Sequence, residues 1–461
     1  MALLGLLAAG ASVPTPARVA LEPPAVALAR LDSLQDVVRE EEARALSAPR
    51  VETNWDRLAR AWFQLGDHAK AVRCLGRARV LGAREFDTAL LLGRVARSEA
   101  RFAEAVDWLE RAARVRPDDW EVHEDLGLAL YLDGQGTRAA DHWERARALP
   151  GSGSPDRTGL IAVLRRVGTG AYRVSGRRRE RLPFVVQAAS GALVVPVRVN
   201  GRGPYPLQID TGSPEVVLGR SLAVELGLEV IRGGEPGAPG VPSFDYAAVD
   251  SLTLGATTLQ RLPVAVSDAP RLAESMHGAR GVLGFEALRR FRFCIDFPDS
   301  TLWLSPLTPP GAPVDSAPPW APAGARVHRM PALLRGTHLL IAYGHVNRGP
   351  ERPFLLDIGS PSASLSAPAS TIAEAAIRVD TTRVLTGNSS AGPVAYLRFP
   401  VDRLCLGDAC RDSLAGVAGT FPPRLELNPN FRLAGIVSRE FLSRYRFSVD
   451  VGRGEVWLIE P

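Results

Sequence analysis

Two textures divide the chain. Between residues 31 and 168, small and large apolar residues recur in columns. Superposed on itself at an offset of 34 residues, the sequence aligns Ala59, Gly93 and Gly127, and likewise Ala71, Ala105 and Ala139. The same register aligns Leu75, Leu109 and Trp143, then Ala78, Ala112 and Ala146. Small residues recur where two helices cross closely, and large ones where a groove is filled. Pro117 and Pro150 close the second and third units. Asp32 to Leu46 is expected as a preceding helix, and Thr158 to Val167 as a capping helix that covers the last apolar face. Beyond Leu182 the pattern changes to short β-branched and apolar runs broken by Gly, Pro, Asn and Asp, which predicts strands. A proline-rich stretch from Pro306 to Pro322 cannot pair as a central strand and reads as a semi-rigid linker, so residues 183–306 and 325–461 form two β halves joined by 307–324. The arginines 173, 177, 178, 179 and 181 read as a solvated linker between helices and strands.

The helical columns resemble the tetratricopeptide repeat, a helix-turn-helix of that period. The resemblance covers residues 51–150. It implies an α-solenoid whose concave face takes a protein partner, with a spacer or dimerisation unit as the other use of such an array. Trp143 falls in a core column, so packing explains it better than ligand binding.

Composition narrows the class. The chain has 461 residues, enough for two to four domains, with 46% hydrophobic and 23% charged residues. That excludes a wholly disordered chain, a collagen-like fibre and a multi-span membrane protein. The net charge of +5 is small, and Lys70 is the sole lysine. The Arg, Ala, Gly and Pro excess suits a GC-biased genome better than a nucleic-acid binder. The apolar run Ala2–Ala11, with small residues at Ala9-Gly10-Ala11, predicts a signal peptide within residues 1–20 and hence export to the periplasm or beyond. The run is too short to span a bilayer as a helix.

The two β halves repeat each other. Leu207-Gln208-Ile209-Asp210-Thr211-Gly212-Ser213-Pro214 corresponds to Phe354-Leu355-Leu356-Asp357-Ile358-Gly359-Ser360-Pro361 at an offset of 147. Later, Gly281-Val282-Leu283-Gly284-Phe285-Glu286 and Phe291 to Asp296 correspond to Gly435-Ile436-Val437-Ser438-Arg439-Glu440 and Tyr445 to Asp450 at an offset of 154. Trp303 and Trp457 follow. Asp296 and Asp450 read as structural residues.

Asp210-Thr211-Gly212-Ser213 at the end of an apolar run, followed by a Gly-flanked apolar segment, resembles the active-site turn of the retropepsin-like aspartic proteases. The resemblance implies two all-β lobes forming a pseudo-two-fold protease unit, a peptide or protein substrate, and neither metal nor organic cofactor. Asp210 and Asp357 are then the catalytic pair. Two carboxylates sharing one proton have pKa values driven apart, which supplies a general base and a general acid together. Thr211, Gly212 and Ser213, with Ile358, Gly359 and Ser360, form the turns. In the family the serine bonds the carboxylate, and the threonine braces the opposite turn across the two-fold. Ile358 lacks that hydroxyl, and Ser438 replaces the glycine matched by Gly284. Three readings therefore stand: an intrachain Asp210–Asp357 dyad, a homodimer using Asp210 from two copies, or an inactive peptide-binding scaffold. The loop 232–244 and the segment 386–393 are the candidate flaps of the two halves.

The Leu-Gly turn between Cys405 and Cys410 predicts a tight hairpin on which the two thiols face each other, either as a disulfide or free. Cys74 and Cys294 read as buried small hydrophobes. The seven histidines are scattered without a His-Glu-x-x-His, and a nucleophile elbow, a Walker A loop and a dinucleotide fingerprint are all missing.

Overall fold

The computed structural model describes residues 21–461 apart from 83–84, 177–178, 189–190, 234–243, 268–277, 309–317, 360–362, 390–391, 422 and 427–431. An N-terminal helical stretch precedes a β-rich region. The helices are α1 (Pro24–Ser47), α2 (Glu52–Gln64), α3 (His68–Val80), α4 (Glu85–Ser98), α5 (Phe102–Val115), α6 (Trp120–Leu132), α7 (Gly136–Ala148) and α8 (Thr158–Val167). Helix α3 starts where the Asp67 carboxylate accepts from the Lys70 N–H, and α6 where Asp119 accepts from Glu121 and Val122. The repeat columns meet in space. A Cβ on Gly93 of α4 would lie 2.8 Å from Leu109 Cδ2 of α5. A Cβ on Gly127 of α6 would lie 2.5 Å from Trp143 of α7. The small residue exists because the large one fills its space.

Among the described residues the strands form sheets of nine, eight and six strands. The nine-stranded sheet belongs to the first β half. In it Arg202–Ile209 runs parallel to Gly281–Leu283, which also pairs with Val217–Gly219. The eight-stranded sheet belongs to the second half and repeats this core: Arg352–Asp357 runs parallel to Gly435–Ser438, which pairs with Leu365–Ser366. Both halves contribute to the six-stranded sheet. Its middle pairing sets Phe293 against Val449, Cys294 against Ser448 and Ile295 against Phe447. Cys294 thus faces the residue 154 positions further on, the offset of the internal repeat. Two buried ion pairs also correspond under that offset: Arg446 with Asp296 at 2.9 Å, and Arg292 with Asp450 at 4.0 Å. Both ion pairs cross from one half to the other within the six-stranded sheet.

The structure corrects the basic linker. Arg173–Gly176 pairs with Thr257–Gln260, and Glu180–Pro183 pairs with Thr301–Leu304, so the arginine-rich stretch enters two sheets. Alternating burial at Glu180–Pro183 fits a strand of which only one face meets a core. The first helix also begins earlier than expected, at Pro24. The signal-peptide segment and most of the 232–244 loop lie outside the described residues, although Val230–Ile231 pairs with Tyr246–Ala247 at the base of that loop. In the second half, Val384–Ser389 and Gly392–Leu397 pair as a hairpin.

Candidate active site

Each candidate aspartate ends a central strand at the same place. Asp210 follows Arg202–Ile209, and its N–H donates to Leu283 O at 3.2 Å on the parallel neighbour. Asp357 ends Arg352–Asp357 opposite Ser438. In both turns the glycine N–H donates to the aspartate Oδ1, Gly212 to Asp210 at 2.8 Å and Gly359 to Asp357 at 2.7 Å.

The two turns then pack reciprocally. A Cβ on Gly212 would lie 2.9 Å from Asp357 Oδ1, and a Cβ on Gly359 would lie 2.7 Å from the Asp210 carboxyl carbon. Each carboxyl therefore rests on the glycine of the opposite turn, where an added Cβ would push it away. Thr211 Oγ1 accepts from the Ile358 N–H at 3.3 Å, tying the turns together from one side. Ile358 is buried in the apolar core and has no hydroxyl to answer it.

Electrostatics separate the pair. Asp210 is 8% exposed and Asp357 is 1% exposed. Burial pushes the Asp210 carboxyl up to about 6, against the pull of the Gly212 and Ser213 backbone N–H groups. Burial, then the neighbouring Asp210 charge, drives Asp357 well above the ordinary carboxylate range, with the Gly359 N–H and Arg439 opposing. The proton of the pair therefore favours Asp357, and Asp210 is the member that ionises first.

The serine of the first turn behaves differently from the family pattern. Ser213 Oγ donates to Glu215 O at 3.2 Å, while its backbone N–H is the group turned to the Asp210 carboxyl. Ser360 lies outside the described residues. The Gly284 and Ser438 positions adopt one conformation, φ −82° with ψ 177° and φ −102° with ψ 177°, each opening a short helix. Gly284 is needed for space: a Cβ there would lie 2.9 Å from Ser213 O and nearer still to Glu215. The second half leaves room for the Ser438 side chain, which is buried.

Arg439 was not singled out by the sequence. It opens the helix Arg439–Leu442, donates to Gly191 O in the first half, and acts on Asp357. Its counterpart in the internal repeat is Phe285, so an apolar-to-cationic change beside one aspartate was the available signal. Away from the site, Cys405 and Cys410 face each other in register and are joined by a disulfide of 2.03 Å. Cys74 and Cys294 are free and buried. Among the described residues no group of three or more His, Cys, Asp and Glu side chains is arranged to hold a metal ion, and no helix is long and apolar enough to cross a membrane.

Residues 195–287 match the aspartyl protease family model, a stretch that contains Asp210, its turn and the Gly281–Leu283 strand. No curated protein matches the chain. Among solved structures, basic 7S globulin from soybean is 11% identical, covers 61% of this chain and 96% of its own, and has a TM-score of 0.35. A retropepsin-like aspartic protease from Rickettsia conorii is 19% identical over 30% of this chain and 95% of its own, with a TM-score of 0.20. The MamA RS-1 ArsTM double mutant is 21% identical over 28% of this chain and 78% of its own, with a TM-score of 0.25. The aspartyl protease match supports a peptidase-like reading of residues 195–287, within the β-rich region that follows the helical stretch.

Proposed function

We propose that the chain is an aspartic endopeptidase in which the two β halves form one pseudo-two-fold unit and Asp210 and Asp357 share a proton. One observation carries this reading: each carboxyl packs on the glycine of the opposite turn. Ionised Asp210 takes a proton from a water whose oxygen bonds to the peptide carbonyl carbon. The protonated Asp357 gives its proton to the carbonyl oxygen, leaving a tetrahedral diol. Collapse of the diol breaks the C–N bond as the nitrogen is protonated and the carbonyl re-forms. The pair titrates as a unit, so the starting roles reverse within the cycle.

With Asp357 already against Gly212, the first half has its partner carboxylate within the same chain. This favours the intrachain dyad over a homodimer through Asp210. The inactive, peptide-binding reading is favoured by Ile358, which removes half of the family's brace. The helical stretch is read as a tetratricopeptide-type solenoid, supported by the Gly93–Leu109 and Gly127–Trp143 crossings. The Cys405–Cys410 disulfide supports an oxidising, exported setting.

Cleavage of a peptide library by the wild type, Asp210→Asn and Asp357→Asn tests the function. The dyad predicts cleavage by the wild type and its loss in both variants. Cleavage that survives both substitutions overturns the aspartic mechanism. Peptide binding without cleavage by the wild type selects the scaffold.

A further inference from the structure

The helical stretch reaches the Asp210 turn and the strand that leads to Asp357. In the first half, Arg289 Nη1 donates to Leu132 O at the end of α6, at 2.9 Å. The same guanidinium donates through Nε and Nη2 to the Glu286 carboxylate, at 2.5 and 2.7 Å. The Glu286 N–H donates to Pro214 O at 2.9 Å, and the Phe285 N–H to Ser213 O at 2.8 Å. Two side chains thus separate α6 from the Asp210 turn, and both are buried.

In the second half, the Tyr343 hydroxyl donates to Gly66 O between α2 and α3. Tyr343 pairs with Pro353, near the start of the strand that ends at Asp357. Pro353 Cγ lies 3.1 Å from where a Gly66 Cβ would stand, and the Arg432 N–H donates to Gln64 O at 2.9 Å. Leu58, Phe63 and Leu75 of the helices share one apolar core with Ile341, Leu355 and Ile436. Leu355 and Ile436 are register partners within the Asp357 strand pair. Between these contacts, Glu99 O at the end of α4 approaches Gly454, beside the six-stranded sheet. The helices therefore run across both halves, and residues facing the β region are already engaged.

Resting on the dyad reading, we infer that the helical array is an intramolecular clamp on the two aspartate turns, with Tyr343 and Arg289 as positioning residues. It supplies in the second half the bracing that Ile358 lacks. A dyad depends on placement finer than an ångström, and although the six-stranded sheet joins the two halves, Thr211 ties the turns themselves together from one side only. A buried ion pair at the Asp210 turn and an apolar core shared with the Asp357 strand pair hold that spacing more firmly, because packed interiors transmit displacement instead of absorbing it.

The test uses the full-length protein with Tyr343→Phe and Arg289→Lys, each alone and combined with Ile358→Thr. Two quantities are read: hydrogen exchange at the Ile358 amide, and kcat, KM and pH profile on a peptide the wild type cleaves. The clamp predicts at least about tenfold faster exchange at Ile358 in Tyr343→Phe, and a kcat lowered about 3–10-fold with KM within about twofold. It also predicts a shifted pH profile and recovery of most of the kcat loss on adding Ile358→Thr. Unchanged exchange at Ile358, or a lower unfolding midpoint with kcat and pH profile intact, overturns the clamp. If the wild type cleaves nothing, the peptidase reading fails, and the exchange at Ile358 still decides the clamp.

Discussion

The hydroxyl of Thr211 accepts a hydrogen bond from the backbone N–H of Ile358 at 3.3 Å, joining two turns that are 147 residues apart. The bond runs one way, since Ile358 has no group to return it. Thr211→Val keeps the shape and removes the acceptor, leaving a buried N–H unpaired. The expected cost is about 1–3 kcal/mol in thermal or denaturant unfolding, with cleavage reduced in parallel. Thr211→Ser, which retains the hydroxyl, is expected to lose much less.

The reciprocal glycine packing gives a second expectation. Gly212→Ala places a methyl 2.9 Å from Asp357 Oδ1, and Gly359→Ala places one against the Asp210 carboxyl. On the dyad reading, carboxyls pushed apart can no longer share a proton. Cleavage is expected to fall at least about 100-fold in each variant, with a folding cost of about 1–3 kcal/mol. Circular dichroism and unfolding midpoints separate the two effects.

Stability should depend on pH through Asp210. Burial raises its folded pKa from 3.8 to about 6, so the fold prefers the protonated form. This contribution is fully present below the unfolded pKa and is lost as pH rises through about 6. Asp210→Asn removes the burden. At pH 7.5 it should stabilise the protein by up to about 3 kcal/mol relative to wild type, and near pH 3 the advantage should vanish. Paired melts at the two pH values measure this. On the dyad reading cleavage should follow the opposite course, rising as Asp210 ionises near pH 6 and falling once Asp357 loses its proton.

The disulfide closes a short hairpin, with a sequence separation of 5. Cross-linking so short a loop is worth about 2 kcal/mol on the chain-entropy account. Cys405→Ser with Cys410→Ser should therefore lower stability by about that amount and leave cleavage nearly unchanged, since the hairpin lies away from the dyad.

How far the residues announce this architecture differs from place to place. The Gly127–Trp143 crossing is legible because both partners sit in columns of one repeat. Asp210 and Asp357 are legible because each ends an apolar run within a duplicated segment. The Phe293–Val449 pairing leaves no local trace, since β register across the halves is set by tertiary packing. The arginines from 173 to 181 mislead because an edge strand with one exposed face carries as much charge as a linker. Arg289 and Leu132 O meet through a backbone carbonyl, which carries no residue-type signal.

The most direct test of the central claim is the cleavage rate of Asp357→Asn beside Asp210→Asn, on one peptide at pH 7. An intrachain dyad predicts that both fall to the uncatalysed level while circular dichroism stays that of the wild type. Full activity in Asp357→Asn would contradict it, because the second half would then supply no catalytic group.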